Sequence, residues 1–166
     1  SLRGLNALLV GLDSTPNRTI VITRSNSDTG ASALNLRLQA YARSQPGRVA
    51  LVTTLGQQKY LSLLARCDAV IGNSSSAFVE APVYGVPAVD IGDRQRGRMR
   101  PANIIHSDAV ARDVVRAIST AVNQDFRLRL RRAGHPFGDG RTSLRMLEVL
   151  ESTDFSKLSA KDFVDY

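Results

Sequence analysis

Three polar stretches carry residues that could bind an anion or do chemistry, and each follows directly on a short apolar run of strand type. In Gly72-Asn73-Ser74-Ser75-Ser76, hydroxyls and backbone N–H groups stand between a predicted strand and a predicted helix. Phosphate oxygens suit that position, because a helix N-terminus carries partial positive charge and serine donates without crowding. Helix capping by serine is the competing reading. Glu80 lies four residues beyond Ser76 on nearly the same helical face. Its carboxylate could accept both hydroxyls of a ribose, as acidic residues do in other α/β nucleotide sites, or it could be a solvated helix residue.

The second stretch, Gly92-Asp93-Arg94-Gln95-Arg96-Gly97-Arg98, sets three arginines beside two glycines, which let the backbone approach a ligand closely. Arg94 and Arg98 are candidates for holding a pyrophosphate or nucleotide, with Arg96 and Arg100 left to solvent. The third stretch, Arg24 to Gly30, offers Asn26 and Asp28 as polar groups, and Gly30 permits a tight turn. A serine nucleophile fails on pattern, since Ser76 stands where the Gly-x-Ser-x-Gly elbow needs its closing glycine. His106 and His135 have no His or Cys partner at metal-ligand spacing, so no metal site is assigned.

These loops need a scaffold that delivers them to one edge. Leu2, Leu5, Leu8, Leu9 and Leu12 recur at helical spacing and stop at the turn-rich stretch Asp13 to Asn17. Strand-like runs follow at Thr19–Thr23, Arg48–Thr53, Ala69–Ile71, Ala88–Ile91 and Ala102–His106. Helical patterns lie between or after them at Ala31–Ser44, Gln58–Arg66, Ser76–Tyr84 and Asp108–Val122, with Asp108 placed as a cap. Alternation at this spacing predicts a doubly wound α/β sandwich with a mostly parallel sheet. In such sheets, ligands bind at the carboxyl ends of the strands, where all three loops lie. A basic helical segment over Arg127–Arg132 and an apolar helical face over Thr142–Leu150 complete the chain, and a weakly periodic tail starts at Phe155.

Composition bounds the rest. The 166 residues suffice for one domain with a single core. With 22 basic against 15 acidic residues the net charge is +7, which favours a polyanion or a phosphate-bearing ligand. Nearly all of the basic residues are arginine, the better choice for bidentate phosphate contacts. The arginines lack the interleaved aromatics of a single-strand binder, so no nucleic-acid partner is expected. No apolar run approaches the roughly 20 residues of a membrane span, and no signal peptide is recognisable. The expected location is cytoplasmic. The lone cysteine, Cys67, reads as a core residue.

Taken together, Asn26 to Gly30, Ile71 to Pro87 (IGNSSSAFVEAPVYGVP), Ile91 to Arg98 (IGDRQRGR) and Phe137-Gly138-Asp139-Gly140 resemble the hydrolysing UDP-N-acetylglucosamine 2-epimerases in order and spacing. The resemblance covers about residues 5–150. It implies two Rossmann-like domains of the GT-B type, with UDP held by the second and the products UDP and N-acetylmannosamine. Position by position, Ser74 and Ser75 would bind the diphosphate, Glu80 the ribose hydroxyls and Arg94 the nucleotide. Leu55 and its neighbours would offer backbone to uracil. Arg98, Asn26 and Asp28 remain open. No cofactor is implied.

On this resemblance, residues 1–154 form a Rossmann-like UDP-binding domain truncated at its N-terminus, and 155–166 a tail. The family's N-terminal domain, which supplies the acid and base groups, has no counterpart here. The first strand of the family's second domain would precede Ser1, leaving a sheet edge unpaired and open to self-association or homo-oligomer formation. The chain alone is therefore expected to bind UDP or a UDP-sugar without turnover. A non-catalytic nucleotide-binding module and a GT-B glycosyltransferase domain are the alternatives.

Overall fold

Five short apolar runs form the strands of the computed structural model, which describes residues 2–24 and 31–158. They are β1 (Ile20–Thr23), β2 (Val49–Val52), β3 (Val70–Gly72), β4 (Ala88–Ile91) and β5 (Ile104–Ser107). All pairings are parallel: Ile20 with Val49, Val70 with Ala88, Ala88 with Ile104, each continuing in register. The ladder is not continuous, however. β1 and β2 form one sheet, and β3, β4 and β5 form another.

The helices are α1 (Leu2–Asp13), α2 (Ala31–Ser44), α3 (Gly56–Leu64), α4 (Ser76–Val79), α5 (Ala111–Ala121), α6 (Gln124–Ala133) and α7 (Thr142–Ser152). Strand residues alternate between faces, and the core divides accordingly. On one face Val89 and Ile91 pack with Ala7 of α1 and with Val114, Ala117, Ile118 and Ala121 of α5. On the same face Leu9 and Leu12 of α1 join Leu38 and Tyr41 of α2 over Ile20, Ile22, Val49 and Leu51. The opposite face buries Leu64 of α3 with Ala81 and Val86, and Phe78 of α4 with Ala88. Helices thus cover both faces, giving the three layers expected.

Polar ties fasten the layers. Arg48 donates to the carbonyls of Leu12 (2.6 Å) and Thr15 (3.0 Å), satisfying acceptors at the end of α1. Tyr41 donates to Asp13 Oδ1 at 2.7 Å. Cys67 follows α3 rather than sitting within it, and its thiol donates to the Leu64 carbonyl at 3.2 Å. Burial pushes that thiol's pKa up.

Two expectations need correction. The helix predicted from Ser76 to Tyr84 breaks at Glu80 into α4 and a 3-10 turn, Ala81–Tyr84. Pro82 lacks the N–H that a continuing α-helix needs. Asp108 does not cap α5, whose N-cap is Val110; the Asp108 carbonyl accepts the Val110 N–H at 2.8 Å instead.

The chain divides into two units, Ser1–His135 and Pro136–Tyr166. In the second, Gly138 and Gly140 adopt positive φ (74° and 82°), and Asp139 anchors the start of α7. Its carboxylate accepts the Arg141 N–H at 3.1 Å and pairs with Arg145 at 2.9 Å, which lowers its pKa. Among the described residues no helix is long and apolar enough to cross a membrane.

α1 and α5 approach closely at Gly11 of α1, where an added Cβ would stand 2.7 Å from Val114 Cγ1 and 2.8 Å from Ile118 Cδ1. Both side chains are buried and have nowhere to retreat. Gly11→Ala should therefore cost about 1–3 kcal/mol of overpacking, against about 1 kcal/mol of regained helix propensity. A urea midpoint lower than that of the unsubstituted chain is expected; a higher one would mean that α1 and α5 are not in contact there.

Candidate functional site

Parallel strands deliver the loops after β3 and β4 to one edge, and two hydrogen bonds then fasten that edge together. After β4 the chain turns at Gly92, whose φ of +77° requires glycine, and its N–H donates to the Ser107 carbonyl at 2.9 Å. Gln95 is buried, and its Nε2 donates to the Asn73 carbonyl at 2.8 Å. The arginine-bearing loop is thereby folded onto the serine loop. Arg94 and Arg98 stay exposed on its outer side, free to swing toward an anion.

The second bond joins Tyr60 of α3 to Ser76 at the start of α4, hydroxyl to hydroxyl. Burial raises the phenol's pKa; the Ser76 bond opposes the shift and the nearby Glu80 carboxylate adds to it. Tyr60, Ser76 and Glu80 therefore share one corner. Glu80 is half-buried, ends α4 by donating its N–H to the Ser76 carbonyl at 3.0 Å, and forms no ion pair among the described residues. Leu55, half-buried, is the N-cap of α3 in the loop after β2.

Serine capping and anion binding can be separated here. Ser75 occupies the N-cap of α4 but makes no side-chain cap hydrogen bond. Ser74 Oγ accepts the Ser76 N–H at 3.3 Å, and both serines are exposed. Because α4 is a single turn, few peptide dipoles add up and the axial field is small. Any anion affinity must come from hydroxyls, local N–H groups and the arginines.

Beneath the loops lies a group that pattern reading missed. Asp90 of β4 is wholly buried; its Oδ2 is 3.4 Å from His106 Nδ1 and 3.9 Å from Arg100, while Oδ1 has no partner. A lone carboxylate inside the apolar run Ala88–Ile91 was the available signal. Arg100, expected to be merely solvated, leans on it. Tyr60 and Gln95 gave no sequence signal, since their roles arise only from contacts across the fold.

Asn26 and Asp28 lie outside the described residues. Among the described residues no three of His, Cys, Asp and Glu gather as metal ligands. A cavity of about 240 Å³ does exist, between Ala65–Cys67, Tyr84–Pro87, Arg127 and Arg131. It sits before β3 and β4, at the strands' amino ends, and so belongs to the wrong edge for a ligand of an open parallel sheet.

Comparison with known proteins bears on the family and the fold. The model of one protein family, described as UDP-N-acetylglucosamine 2-epimerase, matches residues 1–151. The GDP/UDP-N,N'-diacetylbacillosamine 2-epimerase (hydrolyzing) of Campylobacter jejuni is 41% identical over 104 residues, covering 63% of this chain and 27% of that protein. The UDP-N-acetylglucosamine 2-epimerase of Neisseria meningitidis is 33% identical over 152 residues, 89% of this chain and 38% of that one. The chain thus spans well under half the length of these relatives. A Listeria monocytogenes crystal structure, assigned as a UDP-N-acetylglucosamine 2-epimerase, superposes with a TM-score of 0.70 at 17% identity, covering 98% of this chain and 44% of that one. The fold is accordingly one Rossmann-like half of a GT-B architecture.

Burial holds the protons on Tyr41 and Tyr60, with the Asp13 hydrogen bond adding to the effect at Tyr41. Both groups titrate above their ordinary value of 10.0 when folded. Their share of stability is therefore whole below pH 10.0 and drains as the pH climbs from there through the folded values. Tyrosinate absorbance should rise late for two residues, one of them removed by Tyr60→Phe. Two residues titrating normally at 10.0 in the folded chain would contradict the buried corner.

Proposed function

The chain belongs to the UDP-N-acetylglucosamine 2-epimerase family, and from that membership we propose that it is the UDP-binding half of a hydrolysing epimerase. The reaction would consume a UDP-linked N-acetylated sugar and water, invert the sugar at C2, and release UDP. On this reading Ser74 and Ser75 donate hydroxyl hydrogens to the diphosphate, and Arg94 neutralises its charge, with Arg98 in reserve. Glu80 accepts the two ribose hydroxyls, and the backbone about Leu55 meets the uracil.

The observation that supports this most is the double tie of the strand-end loops, Gln95 to Asn73 and Tyr60 to Ser76. A diphosphate, a ribose and a base need partners at fixed separations, and loops fastened to one another hold such separations without being ordered by the ligand. Ser75 is a favourable detail, because its hydroxyl is not used up in capping. The charge balance of +7 points the same way.

Binding and chemistry separate on this proposal. Removing the proton at C2 and expelling UDP require acid and base groups within hydrogen-bond reach of the reacting atoms. Those would come from the remainder of the protein, since the chain spans 27% to 38% of its relatives' length. The sugar itself is left to that remainder; the relatives' names include both N-acetylglucosamine and diacetylbacillosamine derivatives.

Calorimetric titration of UDP into the chain, with Ser75→Ala and Glu80→Ala beside it, tests the assignment. Saturable binding weakened by about 1–3 kcal/mol in each variant is expected, with no conversion of UDP-N-acetylglucosamine by the chain alone. A folded chain indifferent to UDP would overturn the binding role, and turnover would overturn the division of labour.

A further inference from the structure

We infer that Asp90 is a positioning residue for the arginine loop: through Arg100, the buried carboxylate fixes where that loop holds its other guanidiniums against the diphosphate. The inference rests on the reading of this edge as a UDP site, and it gives a role to a carboxylate and an arginine that the reading leaves unused. The sheet register places the group. Val70, Ala88 and Ile104 stand in one row across β3, β4 and β5, and Gly72, Asp90 and His106 in the next. Alternate residues share a face, so both rows lie on the side of α4, where Ala88 packs with Phe78. Asp90 is thus the last side chain of β4 on the face beneath the serine loop. Gly72 brings no side chain to the row, so β3 places none between the carboxylate and the loop that begins at Asn73.

The chain above Asp90 shows what there is to position. Parallel strands are joined by a crossover, usually a helix whose apolar face lies on the sheet. Residues 92–103, which join β4 to β5, contain no helix. Polar contacts fasten this crossover instead. Gly92 donates to Ser107 as it leaves β4, and Gln95 donates to Asn73. At the far end the buried Asn103 donates to the carbonyls of Ala77 (3.1 Å) and Val86 (3.0 Å). Between Gln95 and Pro101 every residue is exposed. Four arginines, Arg94, Arg96, Arg98 and Arg100, crowd the crossover, and like charges at such spacing repel. Among the described residues only Arg100 of the four makes an ion pair, and its partner is Asp90 at 3.9 Å.

A carboxylate is a poor choice for holding the fold here. Asp90 is wholly buried, and among the described residues its Oδ1 has no hydrogen-bond partner. An amide of nearly the same size could accept from Arg100 and His106 through its carbonyl oxygen at a smaller desolvation cost. What the amide lacks is charge, which draws a guanidinium across a gap of 3.9 Å where a neutral hydrogen bond does not form. The place of Arg100 therefore depends on the pull of Asp90, and Arg94 and Arg98 precede it on the same non-helical stretch. With the pull removed, the ligand itself has to order the loop, and that ordering lowers its affinity. The loss falls on the phosphates, which the arginines meet. It spares the nucleoside, which Glu80 and the backbone about Leu55 meet.

Amide-shift titrations of UDP and of uridine test this on the chain, on Asp90→Asn, on Arg100→Ala and on the double variant, with urea midpoints measured beside them. UDP affinity is expected to fall about fivefold in each single variant and no further in the double, because the two substitutions break one contact. Uridine affinity stays within about twofold throughout. The urea midpoint of Asp90→Asn equals or exceeds that of the unsubstituted chain, since a buried charge has been removed.

Parallel losses for UDP and uridine would overturn the inference, and so would an Asp90→Asn chain that unfolds or has a lower midpoint, because the carboxylate would then be serving the fold. Additive losses would overturn it too, since Asp90 would not be acting through Arg100. An unsubstituted, folded chain that ignores UDP defeats the reading of the whole edge. UDP affinity left unchanged by Asp90→Asn, in a chain that does bind UDP, defeats this inference alone.

Discussion

One helix holds the first unit together. α1 buries its leucine-rich stripe against two separate sheets at once, and the two share no ladder. Burial of apolar area is non-directional, so a helix can join sheets that hydrogen bonding leaves apart. What it cannot do is fix their register. That task falls to contacts at its carboxyl end: Arg48 on the Leu12 and Thr15 carbonyls, Tyr41 on Asp13, and the close approach of α5 at Gly11. The position of β3 relative to β1, and hence of the serine loop relative to everything before it, depends on α1 lying where it does.

The candidate site inherits this arrangement. Parallel strands send every following loop to the same edge, so polar groups from Ser74 to Arg98 can approach one another without any one segment being long. Convergence alone would leave them mobile, and loops on a surface generally are. Gln95 and Tyr60 remove that freedom at little cost, each spending one buried or half-buried hydrogen bond to tie two segments. Neither touches the arginines, which stay exposed. The edge thus combines a fixed floor of serines and glutamate with flexible cationic arms, an arrangement suited to a ligand whose charge is concentrated at one end.

Much of this was legible in the residues. The five strands, their alternation with helices and the loops after β3 and β4 follow from periodicity and turn chemistry, and the strand ends differ from expectation by only a residue or two. Glu80 and the serines were recognisable because their types and spacing are local. Gln95, Tyr60 and the Asp90–His106–Arg100 group were not, since a hydrogen bond across 16 to 22 positions leaves no periodic trace.

Asp90 is a buried polar group whose enclosure costs stability. A carboxylate wholly enclosed in β4 loses its hydration, and its two neighbours, the His106 ring at 3.4 Å and the Arg100 guanidinium at 3.9 Å, recover only part of that. An apolar side chain of like volume there would carry no such cost. What the carboxylate does supply is a fixed position for Arg100 and His106 at the strand ends. Those strand ends are the same edge that carries Gly92, Gln95 and the arginine loop. A buried charge thus lies beneath the edge that carries the arginine loop, and it holds Arg100 and the His106 ring there at a cost to the core.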